Sequence, residues 1–419
     1  MNILRKFDQC IDRMDDEELS LQEYINSNSV KSVTDKEVKS GVDRLIYNHA
    51  VNKTQVVKFC GTSMPTFNII EKQLLAEGRV NEPFLQGQAN MYNRFDLAVF
   101  MEEFKVPTYR QRYEPAVIGV INHKGGIGKS TTVRTLAMAL ALDTILNAQV
   151  VILDLDPQGS AGLQGQPKPE DSVFLTISDI CLRNVQKDSP FYRYVEEFGL
   201  SEVDVVLSAA VPTHLPNLQL YSAFPDDEQF TDYYHTLNDE DKIGLLRQLA
   251  DYVVPILKQK YDIILLDTPP QDSPITWSAM LATDFMLTPI APKALDYLST
   301  RNFVRFTRDR IEQIGADQNI KEWKLVPVMV DYTDRTHELN LDRIRRLYTD
   351  RLTSNVIELS ELFYAADHLQ RSIYDIQKAE CKERKYTSIN QYELAITSSN
   401  AVYRELRGLI QNIATKAKG

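Results

Sequence analysis

The sequence predicts an α/β fold with a mostly parallel sheet and helices on both faces, preceded by a smaller, mainly α-helical domain. A glycine-rich octapeptide at 124–131 (KGGIGKST) stands between an apolar, β-branched run and an Ala/Leu-rich run, which is the order strand, loop, helix. Upstream of residue 115 the apolar side chains follow helical spacing. Downstream, short apolar segments of strand length alternate with helical segments, and they lie at 150–154, 263–267, 285–290 and 325–330.

Composition limits the class of protein. A chain of 419 residues exceeds one typical core, so two domains are expected, and 43% hydrophobic with 25% charged residues is typical of globular proteins. The sequence contains no apolar run of about 18 residues, so no transmembrane helix is expected. Residues 1–13 mix acids with bases and lack an apolar signal core. The four cysteines are far apart without a C-x-x-C, which favours a reducing cytoplasm and argues against an iron–sulfur or other metal site: Cys10, Cys60, Cys181 and Cys381.

The charge is unevenly distributed. The net charge of −11, taken for the chain as a whole, disfavours DNA as a partner. Residues 31–94, however, hold nine Lys/Arg against six Asp/Glu, whereas 224–241 is strongly acidic and is expected to form a solvated loop or insertion. Because a local patch decides nucleic-acid binding, DNA remains a candidate partner.

The N-terminal 106 residues are expected to form two parts. Residues 1–40 are polar, with Ile3, Leu4, Phe7 and further apolar side chains at helical spacing. An exposed helix there needs a partner, in cis or across a dimer, and a dimerisation helix is expected. Residues 41–106 predict a winged helix-turn-helix domain, with helices at 54–59 and 66–76, a turn at 60–63, and a wing hairpin within 79–101. An ordinary helical hairpin is the alternative. The candidate DNA-contacting residues of this domain are Ser63, Thr66, Asn68, Lys72 and Arg94.

Residues 107–114 (PTYRQRYE) predict a short linker to a nucleotide domain spanning 115–419. The octapeptide at its start fills the last three places of the phosphate-loop pattern G-x-x-x-x-G-K-[ST] with Gly128, Lys129 and Ser130, while His123 stands at the opening glycine. Lys129 is expected to serve the β- and γ-phosphates, and Ser130 to offer its hydroxyl to Mg²⁺. A chance glycine-rich turn is the alternative that the flanking strand and helix disfavour.

An additional lysine distinguishes this loop. Lys124 stands at its mouth without an evident role inside its own subunit. A lysine there is most useful when it reaches a nucleotide held by a second subunit, so the loop predicts a homodimer that closes around nucleotide. The remaining loop residues let backbone N–H groups approach the phosphates: Gly125, Gly126, Ile127 and Gly128.

Three carboxylates follow two of the predicted strands. Asp154 and Asp156 end the run ILDLD and lie on one side of the strand because side chains alternate along it. One is expected to hold a Mg²⁺-bound water and the other to orient an attacking water. Asp267 ends the apolar run IILLD and is expected to bind Mg²⁺ through water.

These motifs resemble the deviant-Walker ATPases of the ParA/MinD kind. The resemblance rests on KGGIGKST, DLDPQGS (154–160) and DTPP (267–270), and the added N-terminal region resembles the large plasmid-type ParA partition proteins. It implies a deviant-Walker P-loop NTPase that binds ATP and ADP with Mg²⁺ and hydrolyses ATP. It also implies that Lys124 crosses the dimer interface, that Asp156 positions the water, and that Asp154 and Asp267 belong to the Mg²⁺ shell. Further nucleotide contacts implied by it are Ser130, Thr131, Pro289 and Pro292.

The resemblance extends to a DNA surface. The segment MVDYTDRT (329–336) resembles one whose arginine, here Arg335, binds non-specific DNA. Small relatives carry a second arginine before Leu-Ser-Glu, where this chain has Glu358, so the DNA surface is expected to differ. The substitute candidates are Arg343, Arg345, Arg346, Arg351 and Arg371, and ordinary solvated helix faces are the alternative.

The family cycle gives the functional expectation. ATP closes the dimer, the dimer binds chromosomal DNA without sequence preference, and a ParB-type partner stimulates hydrolysis and release. The helix-turn-helix region implies autorepression through the protein's own operator DNA. The expected location is the bacterial cytoplasm, associated with the nucleoid.

Two rival interpretations remain. A MinD-like membrane ATPase needs an amphipathic C-terminal anchor, but residues 399–418 contain no Trp or Phe, so packing against the core and no membrane contact are expected. A nucleotide-switched repressor without a transport role is the other. Asp156 argues against it, because a switch alone does not need a positioned water.

Overall fold

The computed structural model describes residues 44–158, 172–185, 189–293 and 296–415, together with residues 7, 10–14, 16, 17 and 20. All of the described positions before residue 21 are helical, as predicted, and Phe7, Ile11 and Met14 are exposed there. The rest of the predicted dimerisation segment 1–40 lies outside the described residues.

A small unit precedes the nucleotide domain. Its three-stranded antiparallel sheet has the order β1-β3-β2, and its elements are β1 (Val51–Asn52), α1 (Lys53–Phe59), α2 (Met64–Ala76), β2 (Phe84–Gln86), β3 (Ala89–Tyr92) and α3 (Arg94–Glu103). Phe67, Tyr92 and Phe100 form its buried aromatic centre. The two predicted helices joined by a four-residue turn are therefore present.

Local side-chain caps explain where these helices begin. The Asn52 carboxamide accepts a hydrogen bond from the Gln55 N–H (2.9 Å) and starts α1. The Ser63 hydroxyl accepts one from the Thr66 N–H (3.4 Å) and starts α2, while Gly78 ends α2 in the left-handed conformation (φ 67°).

The predicted extent of the wing was wrong. The hairpin covers only 84–92, and Arg94 is the first residue of α3 instead of a wing residue. The Asn93 carboxamide caps α3 by accepting a hydrogen bond from the Asp96 N–H (2.9 Å), and Leu97 and Phe100 are buried at helical spacing. Capping and this apolar face together favour helix over strand.

The second unit contains a seven-stranded sheet. Its order is β10-β9-β4-β8-β5-β7-β6, and only the β6–β7 pair is antiparallel. The strands are β4 (Ala116–Val120), β5 (Val150–Asp154), β6 (Val211–Pro212), β7 (Leu218–Tyr221), β8 (Ile263–Asp267), β9 (Phe285–Ile290) and β10 (Glu322–Pro327). The mostly parallel α/β architecture is as predicted.

Helices cover both faces of this sheet. They are α4 (Lys129–Leu142), α5 (Ile177–Cys181), α6 (Pro190–Phe198), α7 (Glu202–Ala209), α8 (Gln229–Thr236), α9 (Asp239–Leu246), α10 (Val254–Lys260), α11 (Pro274–Ala282), α12 (Asp296–Ile314), α13 (Arg335–Tyr348), α14 (Glu361–His368), α15 (Lys378–Arg384) and α16 (Ile389–Ile413). Side chains of β5 alternate between the two cores. Ile152 packs on the side of α4 and α16, and Val151 and Leu153 pack on the side of α10 and α11.

The C-terminal helix packs against the core, as predicted. Val402, Leu406 and Ile410 of α16 are at most 2% exposed and join the same apolar cluster as Leu136 and Leu140 of α4. Among the helices of the described residues, none combines the length and the apolar character needed to cross a membrane.

Two connecting segments are more ordered than the sequence suggests. In the predicted linker, Arg110 forms an ion pair with Asp262 (Nε–Oδ1 2.6 Å) and Tyr109 is buried. The acidic stretch 224–241 was expected to be a solvated loop or insertion; it is not a loop, since most of it lies in a 3₁₀ turn (Pro225–Glu228), α8 and the start of α9. Asp227 is buried there and accepts hydrogen bonds from Thr176 (2.5 Å) and the Phe224 N–H (2.8 Å), which removes it from solvent.

Candidate functional site

The carboxyl edge of the sheet brings the predicted nucleotide residues together. Asp154 and Asp267 are register partners on β5 and β8, and Val120, the last residue of β4, is the register partner of Asp267 on its other side. Because the glycine-rich loop follows β4, its residues lie at the same edge as the two carboxylates.

The loop backbone requires glycine at two positions. Gly126 (φ 67°) and Gly128 (φ 80°) adopt the left-handed region, and Gly128 is the residue immediately before α4. The free N–H groups at the start of α4 and the positive end of its dipole therefore face the loop's concave side. This arrangement suits a phosphate group.

Lys129 folds back over the loop. Its ammonium donates to the Lys124 carbonyl (3.3 Å), and the residue is only 6% exposed. Burial lowers the pKa of Lys129, and the nearby carboxylates of Asp267 and Asp156 oppose that shift. The ammonium thus lies between the loop and the acidic residues.

Asp267 is fully buried, and neither carboxylate oxygen has a hydrogen-bond partner of good geometry among the described residues. Burial raises its pKa to about 6, although Ser130 and the Lys129 charge lie close enough to oppose the shift. The buried Asp267 carboxylate, the Ser130 hydroxyl and a second nearby carboxylate together form a set of ligands whose donor atoms are all oxygen. Such a set fits Mg²⁺, which prefers carboxylates, hydroxyl groups and water.

The other two carboxylates are fixed by their own backbone. Asp154 accepts a hydrogen bond from the Asp156 N–H (3.1 Å), and Asp156 accepts one from the Gln158 N–H (3.1 Å). Both residues are buried. The turn after β5 therefore holds Asp156 just beyond the end of the strand.

Lys124 lies at the mouth of the loop and is half-buried. Burial and the charge of Lys293 lower its pKa. Sequence reasoning missed Asn122, whose carboxamide accepts a hydrogen bond from the Lys124 N–H (3.0 Å) and donates to the Pro289 carbonyl (2.7 Å). An asparagine at the end of a buried strand was the available signal, and its function is to tie the loop to β9.

Pro289 and Pro292 lie behind the loop. Pro289 is inside β9, and the Pro292 carbonyl accepts from the Asn340 carboxamide (3.3 Å). A cleft of about 70 Å³ opens beside the start of α4 and is lined instead by other residues, among them Gly128, Thr131, Thr135, Met329, Glu358 and Tyr364. The structure therefore brings Thr131, and not the two prolines, to this cleft.

The predicted DNA residues divide into exposed and buried groups. Ser63, Thr66 and Lys72 are exposed on or beside α2, and Asn68 is half-buried. On and after α13, the exposed arginines are Arg335, Arg343, Arg345, Arg346 and Arg351, of which Arg351 is paired with Glu322 (2.9 Å) and Asp350 (2.9 Å).

Two arginines predicted to bind DNA are engaged inside the protein. The Arg371 side chain is 0% exposed and forms an ion pair with the equally buried Glu380 (Nη1–Oε1 3.0 Å), so it cannot contact DNA. Arg94 donates through Nε to the His49 carbonyl (2.9 Å), and burial lowers its pKa to about 10. Sequence reasoning missed both partners because no local pattern shows that these arginines are buried.

Comparison with known proteins adds relatives to this geometry. Residues 115–322 match the AAA-domain family AAA_31. The chain is 29% identical over 219 residues to "Plasmid partition protein A" of Escherichia coli, covering 51% of each chain. It is 26% identical over 270 residues to "Chromosome partitioning protein ParA" of Myxococcus xanthus, covering 64% of this chain and 84% of that one. A solved structure titled "Partition Protein" superposes with a TM-score of 0.61 at 17% identity, covering 90% of this chain and 95% of the other, which shows a shared fold.

Proposed function

Because this chain is a relative of the ParA-type partition ATPases in sequence and shares its fold with a partition protein, we propose that it segregates DNA through an ATP-driven cycle. The observation that carries the proposal is the buried Asp267 carboxylate, paired in register with Asp154 beside Lys129. This is a site for a phosphate chain and a divalent cation. It has no evident purpose in a protein that only binds DNA.

Each residue of the site has a distinct role in hydrolysis. Lys129 neutralises the β- and γ-phosphates, and the N–H groups at the start of α4 bind their oxygens. Mg²⁺, held by Ser130 and through water by Asp154 and Asp267, would supply charge neutralisation at the phosphates. Asp156 accepts a hydrogen bond from the attacking water and orients it in line with the terminal phosphorus.

Lys124 links nucleotide binding to the formation of the dimer in this cycle. Its place at the mouth of the loop puts the ammonium where an anion from outside its own subunit can reach it, and burial together with the like charge of Lys293 favours such an anion. A nucleotide held by the partner subunit provides that anion, so ATP closes a homodimer. ADP, with one phosphate fewer, holds it less well.

The exposed arginines of α13 provide the proposed surface for non-specific chromosomal DNA. Arg335, Arg343 and Arg346 project from one exposed helix, and phosphate contacts of this kind weaken with salt. A ParB-type partner bound at a centromere-like site stimulates hydrolysis and releases the dimer from DNA. The protein then acts in the bacterial cytoplasm on the nucleoid.

The helix-turn-helix unit supports a second role within the same function. Ser63, Thr66 and Lys72 are exposed along α2, the position of a recognition helix, and the β2–β3 hairpin stands in the place of a wing. We propose that this unit binds the protein's own operator and represses its transcription. The MinD-like alternative loses its main support because the apolar face of α16 is buried in the core.

Binding to random-sequence duplex DNA tests the proposal. The measurement compares ATP, ADP and no nucleotide for the native protein and for Lys124→Ala, with Lys382→Ala, an exposed lysine of α15, as the matched control. ATP-dependent binding that Lys124→Ala loses and Lys382→Ala keeps supports the nucleotide-closed dimer. Binding that ignores nucleotide and both substitutions would leave only a repressor.

A further inference from the structure

A buried cluster of two imidazoles and one carboxylate joins the two units of the protein. The Asp375 Oδ1 atom lies 2.7 Å from His49 Nε2 and 2.9 Å from His214 Nε2. The two imidazole rings stack with centroids 5.6 Å apart. The side chains of all three are at most 9% exposed.

The three residues come from segments far apart in the chain. His49 precedes β1 in the helix-turn-helix unit, His214 lies between β6 and β7, and Asp375 ends the 3₁₀ turn Ile373–Asp375. That turn packs against α4, the helix that begins at Lys129 in the phosphate loop. The cluster therefore connects the helix-turn-helix unit with a turn that packs against α4.

Neighbouring hydrogen bonds make Asp375 the centre of this connection. Its Oδ2 atom accepts from the Ser372 N–H (3.0 Å), and its backbone carbonyl accepts from the Asn48 carboxamide (2.8 Å). The Gln377 carboxamide donates to the Asn48 carbonyl (3.3 Å), which adds a second link across the same boundary.

One part of the boundary between the two units is a cleft. It has a volume of about 460 Å³ and lies between α3 and the nucleotide domain, with Leu97 and Met101 on one side and Ala141 and Asn217 on the other. Because close packing is interrupted along this cleft, the bonds at Asp375 contribute to fixing the orientation of the helix-turn-helix unit.

A hydrogen-bonded arrangement explains the cluster better than a metal ion. Separations of 2.7 and 2.9 Å are hydrogen-bond lengths, whereas ligands of a tetrahedral zinc ion lie about 3.3 Å apart when each is about 2.0 Å from the metal. The guanidinium of Arg94, bound to the His49 carbonyl, also places a positive charge near the cluster. Both imidazoles then donate Nε2–H to one ionised carboxylate.

We propose that His49, His214 and Asp375 form a proton-sensitive latch that holds the helix-turn-helix unit against the nucleotide domain. The latch is closed when His49 is a neutral donor to Asp375, and it opens when the His49 ring takes up a second proton. Because the Asp375 turn contacts α4, the helix that follows the phosphate loop, the latch couples the orientation of the helix-turn-helix unit to the conformation of that loop.

The direction of the pH effect follows from burial. Burial lowers the pKa of His49, the Asp375 carboxylate opposes that shift, and the charges of His214 and Arg94 add to it. Although burial raises the pKa of Asp375, the two histidines hold it far below its usual range, so the acceptor stays ionised. In the open state His49 regains a pKa near 6.5. Acid therefore protonates the open state first, and the closed-to-open ratio falls by at most about tenfold per pH unit below about pH 6.5.

A distance measurement between the two units tests the latch in the full chain. Spin labels are placed at Lys72→Cys on α2 and Gln318→Cys in the nucleotide domain, both exposed, in a Cys10→Ser background because the other three cysteines are buried. Distance distributions are recorded at about pH 8 and about pH 5.5, on either side of the pKa of free histidine. The native protein is expected to show one narrow distance at the higher pH and a second population at the lower.

Three variants separate the latch from general stability. His49→Ala removes the donor and is expected to show the second population at both pH values. His49→Gln keeps an amide donor that does not titrate and is expected to stay narrow at both. His235→Ala, an exposed histidine of α8, is expected to behave like the native protein. Circular dichroism verifies that each variant is folded.

Three results would overturn the proposal. A narrow native distance in His49→Ala at both pH values would make the contact incidental. A pH response in His49→Gln equal to that of the native protein would place the trigger elsewhere. Equimolar Zn²⁺ that closes the open population of the native protein, but not that of His214→Ala, would assign the cluster to a metal ion. None of these readouts depends on the proposed ATPase cycle.

Discussion

Asp154 and Asp267 lie opposite one another on adjacent parallel strands, although 112 residues separate them along the chain. Each ends its strand, so the two carboxylates share one edge with the glycine-rich loop that follows β4. This juxtaposition concentrates negative charge beside Lys129 in a buried environment. The first two predictions follow from it.

Lys129→Ala is expected to weaken binding of ATP by about 10- to 100-fold, because charged hydrogen bonds to phosphate contribute about 1.5–3 kcal/mol. Binding of a fluorescent ATP analogue measures the change, with Lys382→Ala as the exposed-lysine control. Equal affinity in the two variants would remove Lys129 from the phosphate site.

Asp267→Asn is expected to stabilise the nucleotide-free protein at neutral pH, because the buried carboxylate is costly to ionise. Its folded pKa of about 6 lies above the unfolded value, so the native protein gains stability from this group as pH falls below about 6, and the gain is complete near the unfolded pKa of about 3.9. The difference in free energy of unfolding between variant and native protein should therefore shrink by about 1 kcal/mol per pH unit across that window. Urea unfolding at matched pH values measures it, and a constant difference would contradict the assignment.

Asp156→Ala is expected to slow ATP hydrolysis by about 100-fold or more while leaving ATP binding within a few-fold of native, because the carboxylate acts on the attacking water. Single-turnover hydrolysis and equilibrium binding separate the two effects. Asp179→Ala is the matched control, since Asp179 is an aspartate of the same domain whose carboxylate accepts a hydrogen bond from the Thr176 N–H (3.0 Å) at the start of α5. A parallel loss of binding and hydrolysis would instead indicate a structural role for Asp156.

Replacing Arg343 and Arg346 together with alanine is expected to weaken ATP-dependent DNA binding. The slope of log affinity against log salt should fall by up to about 2, because each phosphate contact contributes about 0.9. Titration of random-sequence duplex DNA at several salt concentrations measures the slope. An unchanged slope would exclude this face of α13 as the DNA surface.

Arg371→Ala is expected to act through stability alone. Removal of one partner from the buried Arg371–Glu380 pair leaves an unpaired buried charge, which costs about 3–5 kcal/mol. Chemical unfolding measures that loss, and the double variant with Glu380→Gln should recover part of it. A change in the salt slope of DNA binding by the folded variant would contradict the buried position.

Much of the nucleotide site was predictable because its chemistry is encoded locally. The spacing of Gly128, Lys129 and Ser130 fixes the loop, and the apolar runs before Asp154 and Asp267 fix which strand ends carry carboxylates. The helix caps at Asn52 and Ser63 are also encoded locally, since each side chain accepts a hydrogen bond from the backbone N–H three residues ahead.

Residues whose burial only the folded chain defines were predicted poorly. Arg371 looks like a surface arginine until Glu380 and the surrounding core are known, and Arg94 looks like a wing residue until Asn93 caps the helix that it begins. The acidic stretch 224–241 forms helices because Phe230 is buried and Asp227 finds hydrogen-bond donors at Thr176 and Phe224. The composition of this stretch gives its charge but does not identify the donors that Asp227 finds in the folded protein.

The sequence by itself determined the α/β class, the glycine-rich loop between a strand and a helix, and the carboxylates at two strand ends, because these depend on periodicity and on spacing within a few residues. Only the tertiary structure decided that Asn122 ties the loop to β9, which arginines reach the surface, and that His49 meets Asp375. Those contacts join residues as many as 326 positions apart, and their energy depends on burial and on a partner that no local pattern specifies.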